Sequence, residues 1–314
     1  MPILYIVVPC YNEQEVLGET TRRLTAKLDN MILSGICSEQ SRILYVDDGS
    51  KDNTWQLISE LFANNKLVCG LKLAHNRGHQ NALYAGLMTA RNFADCIVSM
   101  DADLQDDIDV LDKFMDKYTN EHCDIVYGVR SSRESDTFFK KTTAQGFYKV
   151  MKMLGVETVY NHADYRLMSK RAVEALAQYD EVNLFLRGIV PDIGFKSDCV
   201  YYERHERFAG ESKYPLKKML SFAMQGVTSF SVKPLSMITG IGAIISVLSV
   251  FGLIAALIMK ICGASAGFTV LLSSIWLACG ILMVSLGVVG EYIGKIYGEV
   301  KHRPKFIPES FLKK

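Results

Sequence analysis

Leu4-Tyr5-Ile6-Val7-Val8-Pro9-Cys10-Tyr11-Asn12-Glu13 decides the fold, because an apolar run of strand length breaks abruptly into a polar signature. The run Leu4–Val8 reads as a first β-strand, and Glu15–Leu28 beyond the break carries apolar residues at helical spacing. The same unit recurs down the first half. Strands are expected at Ile43–Val46, Leu67–Leu73, Cys96–Met100 and Ile125–Val129, with helices at Thr54–Asn64 and Gln80–Phe93. Such alternation predicts an α/β fold, a mostly parallel sheet flanked by helices. Ligands of these sheets bind in loops beyond the carboxyl ends of the strands. The polar signatures fall at those ends: Pro9–Glu13, Asp47-Asp48-Gly49-Ser50, Asp101-Ala102-Asp103 and Gly128-Val129-Arg130.

The 314 residues allow one large α/β domain and something smaller. A net charge of +1 provides no global field for nucleic acid, and none is expected as a partner. Eight cysteines are scattered without a C-x-x-C pair, mostly in apolar runs, so buried free thiols in a reducing compartment are expected. The first residues lack a basic region and a long apolar core, which argues for a strand rather than a signal peptide.

The character changes after Lys213. Neither Pro234–Met259 nor Ile261–Gly290 contains a charged side chain, and each exceeds the roughly 20 apolar residues that a spanning helix needs. Lys213, Lys217, Lys218 and Lys233 precede the pair, and Lys295, Lys301, Arg303 and Lys305 follow it. Positive-inside logic places both flanks in the cytoplasm. The expected organisation is a catalytic domain over 1–213, a juxtamembrane amphipathic helix over 214–233, a two-helix transmembrane hairpin over 234–295 and a basic tail over 296–314. The lysines near Phe138, Phe139, Phe147, Met151 and Leu154 fit either an interfacial helix or a core helix. Gly290, Gly294 and Gly298 permit close helix contact.

Asp101 and Asp103 are hard oxygen ligands suited to Mg²⁺ or Mn²⁺, and Gln105 adds an oxygen nearby. Asp47 and Asp48 suit either an N-capping turn or acceptance from a base N–H or ribose hydroxyls. Arg130 and Arg133 offer forks for phosphate oxygens, and Lys140 and Lys141 add point charges; a solvated basic face is the alternative. His75, His79, His162 and His205 lack metal-ligand spacing and are expected to be structural.

Together these stretches, with Asn76-Arg77-Gly78-His79-Gln80, Asp164-Tyr165-Arg166-Leu167 and Arg207–Lys218, resemble glycosyltransferase family 2. Within it they look most like the branch of dolichyl-phosphate mannose synthases and undecaprenyl-phosphate glycosyltransferases. The resemblance implies a GT-A fold and inverting transfer of one hexose from a nucleotide-sugar to a polyprenyl phosphate, with UDP-glucose the first choice of donor. Other donors are UDP-GlcNAc, UDP-galactose, GDP-mannose or an amino-arabinose donor. It implies a multi-pass protein of the cell membrane with its catalytic domain in the cytoplasm, and a homo-oligomer, a tetramer in relatives. A nucleotide-sugar pocket would use Pro9, Tyr11, Glu13, Asp47, Asp48, Asn76, Gly78, Asp101, Ala102 and Asp103. Metal would be held by Asp103 and Gln105. Arg130, Arg133, Lys140, Arg207, Ser212 and Lys213 would meet the acceptor phosphate. Asp101, Arg130, Arg207 and Lys213 would act in catalysis, with Asp164 a base or an orienting group. A processive polysaccharide synthase is disfavoured, because Trp55 and Trp276 do not lie in a Q-x-x-R-W motif. A non-catalytic scaffold is disfavoured by the intact Asp101, Asp103 and Gln105.

Overall fold

A computed structural model describes residues 1–131, 162–182, 184–203 and 267–314, together with Ile244 and Phe251. In chain order these form β1 (Leu4–Cys10), α1 (Leu17–Leu33), β2 (Arg42–Asp47), α2 (Thr54–Asn64), β3 (Val68–Leu73), α3 (His79–Ala90), β4 (Cys96–Ser99), α4 (Val110–Thr119) and β5 (Ile125–Arg130). There follow β6 (His162–Ser169), α5 (Lys170–Leu176), α6 (Leu186–Asp192), β7 (Ser197–Tyr202), α7 (Gly267–Val300) and β8 (Pro308–Leu312). All eight strands share one sheet in the order β7-β5-β6-β4-β1-β2-β3-β8.

The block β3-β2-β1-β4 is parallel throughout, with Cys10 opposite Asp47 and Val7 opposite Ser99. The chain runs β1, β2, β3 to one side and then places β4 on the other side of β1. That reversal opens a crevice beyond the ends of β1 and β4, where the topology of such sheets puts ligands. β6 then slots between β4 and β5, antiparallel to both, so the sheet is mixed rather than uniformly parallel. Alternation along β1 divides its side chains between two layers. Leu4, Ile6, Val8 and Cys10 join α1 and α4 residues on one face, while Tyr5 and Val7 meet α3, α5 and α6 on the other. A Cβ on Gly86 of α3 would lie 2.3 Å from Val7 Cγ1 and 2.8 Å from Val46 Cγ2, so this glycine brings α3 down onto the sheet. The six cysteines with described side chains are free, five of them buried, as expected.

Within the expected basic tail, Pro308–Leu312 form β8, which pairs antiparallel with the outer edge of β3. Lys72 and Glu309 form an ion pair at 2.9 Å across that pairing, and Phe311 stacks on Phe93. Covering an edge strand in this way removes a template for aggregation. Helix α7, 34 residues long, extends to Val300, past the expected end of the hairpin. Among the described residues, one helix is long and apolar enough to cross a membrane, over Ile281–Val300. Pro234–Met259, the juxtamembrane segment 214–233 and the segment around Phe138–Leu154 lie outside the described residues, apart from the isolated Ile244 and Phe251.

Candidate active site

The loops after β1 and β2 are stitched together by their own side chains. Asn12, at φ 53°, donates its N–H to Ser50 Oγ at 3.0 Å, and its Oδ1 accepts from the Lys51 N–H at 2.9 Å. The Glu13 N–H donates to Thr54 Oγ1 at 2.9 Å, tying the β1 loop to the start of α2. Gly49 has φ 64°, and a Cβ there would lie 2.6 Å from Asn76 N. The backbone needs glycine on both counts.

Asp47 and Asp48 are both buried but differ in use. Asp48 accepts the N–H groups of Arg77 at 2.7 Å and Gly78 at 2.9 Å, one on each oxygen. It therefore shapes the turn that starts α3. Asp47 Oδ1 accepts the Ser50 N–H at 3.2 Å, while Oδ2 is buried without a hydrogen bond. Burial raises the Asp47 pKa, partly offset by Ser50. An acceptor stripped of water at a strand end is costly unless something donates to it.

The loop after β4 is strained and acidic. Leu104 is buried with φ 58°, a conformation that a branched side chain adopts at a cost of order 1–3 kcal/mol. Asp103 Oδ1 accepts the Gln105 N–H at 3.2 Å, which closes a tight turn, and the Ala102 carbonyl accepts the Thr20 hydroxyl at 2.7 Å from α1. Asp106 is buried and accepts from the Tyr202 hydroxyl and from Arg130 Nη2, the latter at 3.4 Å. Arg130, the last residue of β5, is thereby anchored beside the acidic loop. Partial burial pushes the Asp101 carboxyl up to about 6; His79 opposes this, and Asp106, Asp164 and Asp103 add to it. Asp101 and Asp106, both raised chiefly by burial, share this loop with Asp103, and such a set of hard oxygen donors fits a divalent cation, whose charge would favour their ionised forms.

Asp164 on β6 is the hub of a second cluster. Its Oδ1 accepts from Arg166 Nη2 at 2.6 Å, and Arg187 of α6 grips both oxygens, at 3.2 and 3.0 Å. The Ser99 hydroxyl donates to the Asp164 carbonyl at 2.6 Å, locking β6 to β4. Burial opposes ionisation of Asp164, but Arg187, His79 and Arg166 hold its carboxyl well below the usual range. His79, the first residue of α3, has Nε2 3.7 Å from Asp101 Oδ1 and 3.6 Å from Asp164 Oδ2. Burial alone would lower the imidazole pKa, yet Asp164 and Asp101 raise it to about 9.

The structure thus gathers Tyr11, Glu13, Asp47, Asp48 and Gly78 at one end of the crevice, and Asp101, Ala102, Asp103, Gln105, Arg130 and Asp164 at the other. Pro9 lies within β1 opposite Val46, and Asn76 is exposed. Arg133, Lys140, Arg207, Ser212 and Lys213 lie outside the described residues. Three residues beside these carboxylates were not among the expected site residues. His79, expected to be structural, lies between Asp101 and Asp164. Arg166 and Arg187 surround Asp164. The Asp-x-Arg alternation in Asp164-Tyr165-Arg166 was the available signal for Arg166; nothing around Arg187 pointed to it.

A sequence model of Glycosyl transferase family 2 matches residues 5–177. The chain is 57% identical to an uncharacterized glycosyltransferase, YkoT, of Bacillus subtilis strain 168, over 97% of this chain and 90% of that one. It is 38% identical to a prophage bactoprenol glucosyl transferase homolog of Escherichia coli K12, covering 96% of this chain and 97% of the relative. The bactoprenol glucosyl transferase of Shigella phage SfV is 36% identical, with 96% of each chain covered.

Proposed function

This chain belongs to glycosyl transferase family 2 and is a glycosyltransferase, and from that membership we propose that it transfers a single hexose from a nucleotide-sugar to a polyprenyl phosphate. The observation that carries the reading is similarity over nearly the whole chain to proteins named bactoprenol glucosyl transferase, bactoprenol being a polyprenol. UDP-glucose is the first donor to test, since those names specify glucose. Asp47, with its buried unpartnered Oδ2, suits a donor from the base or ribose, beside Tyr11 and Glu13.

Mg²⁺ or Mn²⁺, held by Asp103 and Gln105, would neutralise the leaving diphosphate when bound. The reaction is an in-line displacement with inversion. A lipid phosphate oxygen forms a bond to the anomeric carbon as the bond from that carbon to the diphosphate oxygen breaks. The acceptor monoester has its second pKa near 6 and is largely dianionic at neutral pH, so it needs no general base. Asp164 suits none: two arginines occupy its oxygens and hold it ionised. It orients instead. Arg130 supplies a guanidinium beside the acidic loop, where phosphate charge would otherwise be repelled.

Helix α7 is about 51 Å long at 1.5 Å per residue, from its 34 residues, and stays uncharged up to Gly290. Leu282, Met283 and Val284 are all exposed, so apolar side chains point in successive directions about the axis, as lipid requires. Beyond the helix, β8 rejoins the sheet that the chain left after β7. A chain that leaves and rejoins one body crosses a bilayer an even number of times. This supports a hairpin of α7 and the uncharged run Pro234–Met259, with the catalytic domain on the cytoplasmic face, where nucleotide-sugars are found. Gly290, Gly294 and Gly298 have open space beside them, which suits packing against a second copy in an oligomer.

The test is incubation of the purified full chain with a panel of nucleotide-sugars, undecaprenyl phosphate and Mn²⁺, with the glycolipid identified by mass. Hexosyl-phosphoryl-undecaprenol is the expected product; donor consumption without any lipid product refutes the acceptor. For topology, with native thiols replaced, Ala264→Cys should react with an impermeant reagent applied outside cells and Glu309→Cys should not. The reverse pattern puts the catalytic domain outside and overturns the donor assignment.

A further inference from the structure

Asp101 sits on a loop with two further carboxylates, Asp103 and Asp106, and 39% of its side chain is exposed. Among the described residues, His79 provides the one cationic group within ion-pairing distance of it. The other side of His79 faces Asp164, which Arg166 and Arg187 clamp. The imidazole is itself placed from three directions. Gly78, at φ 86°, turns the chain into α3; Asp48 holds the two preceding N–H groups; Gly86 seats the helix on Val7 and Val46 without room for a Cβ. A ring fixed this firmly is a suitable reference against which to orient a partly exposed carboxylate.

We infer that His79 is a positioning residue for hexose transfer, directing the Asp101 carboxylate by bridging it to the Asp164–Arg187 pair. Asp101 Oδ1 faces the imidazole, which leaves Oδ2 for the donor sugar. Without the bridge, Asp101 turns away from Asp103 and Asp106, and the donor is bound but poorly aligned. A misalignment of this kind lowers turnover more than donor affinity. The inference rests on the proposed transfer reaction and adds a residue to it.

The experiment compares the wild-type chain with His79→Ala and His79→Gln in detergent, using UDP-glucose, undecaprenyl phosphate and Mn²⁺. His79→Ala should lower kcat roughly 10–100-fold while KM for UDP-glucose stays within about threefold. His79→Gln, which retains an N–H donor near the Nε2 position, should recover most of that loss. Thermal midpoints of both variants should fall by a similar amount, since each removes the same partly exposed imidazole, so kcat restored in His79→Gln but not in His79→Ala separates positioning from stability. Turnover of His79→Ala within threefold of wild type overturns the inference. So does a loss confined to KM, or a loss that tracks a lowered midpoint and that Gln does not restore. If the wild-type chain makes no lipid product, the transfer reading fails on its own. The same kcat and KM comparison is then read from metal-dependent hydrolysis of UDP-glucose, which needs Asp101 but no lipid.

Discussion

Replacing Asp164 with Asn keeps the shape of the hub and removes its charge. The carboxylate is 9% exposed and faces Arg166, itself only 2% exposed, at 2.6 Å. An amide supplies one acceptor where two oxygens served, and its NH₂ group confronts guanidinium donors. Each charge-assisted hydrogen bond contributes about 1.5–3 kcal/mol. Water can replace much of the contact to Arg187, a third exposed, but none reaches Arg166 readily. The net loss is about 3 kcal/mol, at the lower end of what breaking a buried ion pair from one side costs. For a domain of this size that corresponds to a fall in Tm of roughly 6–12 °C. Thermal unfolding of the detergent-solubilised chain at pH 7, followed by intrinsic fluorescence, reads it directly. Turnover should drop as well, because His79 loses its anchor. A midpoint within 2 °C of wild type would refute the clamp. An unchanged midpoint with lost transfer, together with loss of the acid limb of the pH–rate profile, would instead make Asp164 a base.

Other outcomes follow from the same geometry. Asp103→Ala, or excess chelator on the wild-type chain, should nearly abolish transfer; full turnover in chelator would remove the metal from the mechanism. Gly49→Ala should destabilise the chain by at least 1–2 kcal/mol in denaturant titration, because φ 64° and a 2.6 Å contact with Asn76 N both oppose a Cβ. His79 is raised from 6.5 to about 9, so its contribution to stability is full below pH 6.5 and lost as pH rises through 9. Denaturant midpoints measured from pH 6.5 to 9.5 should therefore fall in wild type and fall less in His79→Gln. Deleting residues 307–314 should lower the thermal midpoint and produce concentration-dependent light scattering, because the edge of β3 is then bare.

The parallel core was legible because each of its strands is an apolar run ending in a polar signature, and α2 occupies the expected Thr54–Asn64. β6 was not. It alternates His162, Asp164 and Arg166 with Ala163, Tyr165 and Leu167, so its polar half reads as loop until Tyr165 and Leu167 are seen in the core. Asp164 and Arg166 face the other layer and form the Asp164 cluster. β8 carries little periodic signal in Pro308–Leu312, and its partner is remote in the chain. The carboxylates of the β4 loop were readable from residue type and spacing. The groups that tune them, His79 beside Asp101 and Arg130 and Tyr202 on Asp106, come from a helix and two strands whose juxtaposition only tertiary structure creates.

The pairing of β3 with β8 also orders events during synthesis. Lys72 and Glu309, joined across that edge, are 237 residues apart. At 5–20 residues per second the ribosome needs roughly 10–50 s to supply the partner. Throughout that interval the nascent domain holds an open edge along β3. The last strand closes the sheet only once the whole chain has been made, so until then the edge is open to proteases and to pairing with other nascent chains.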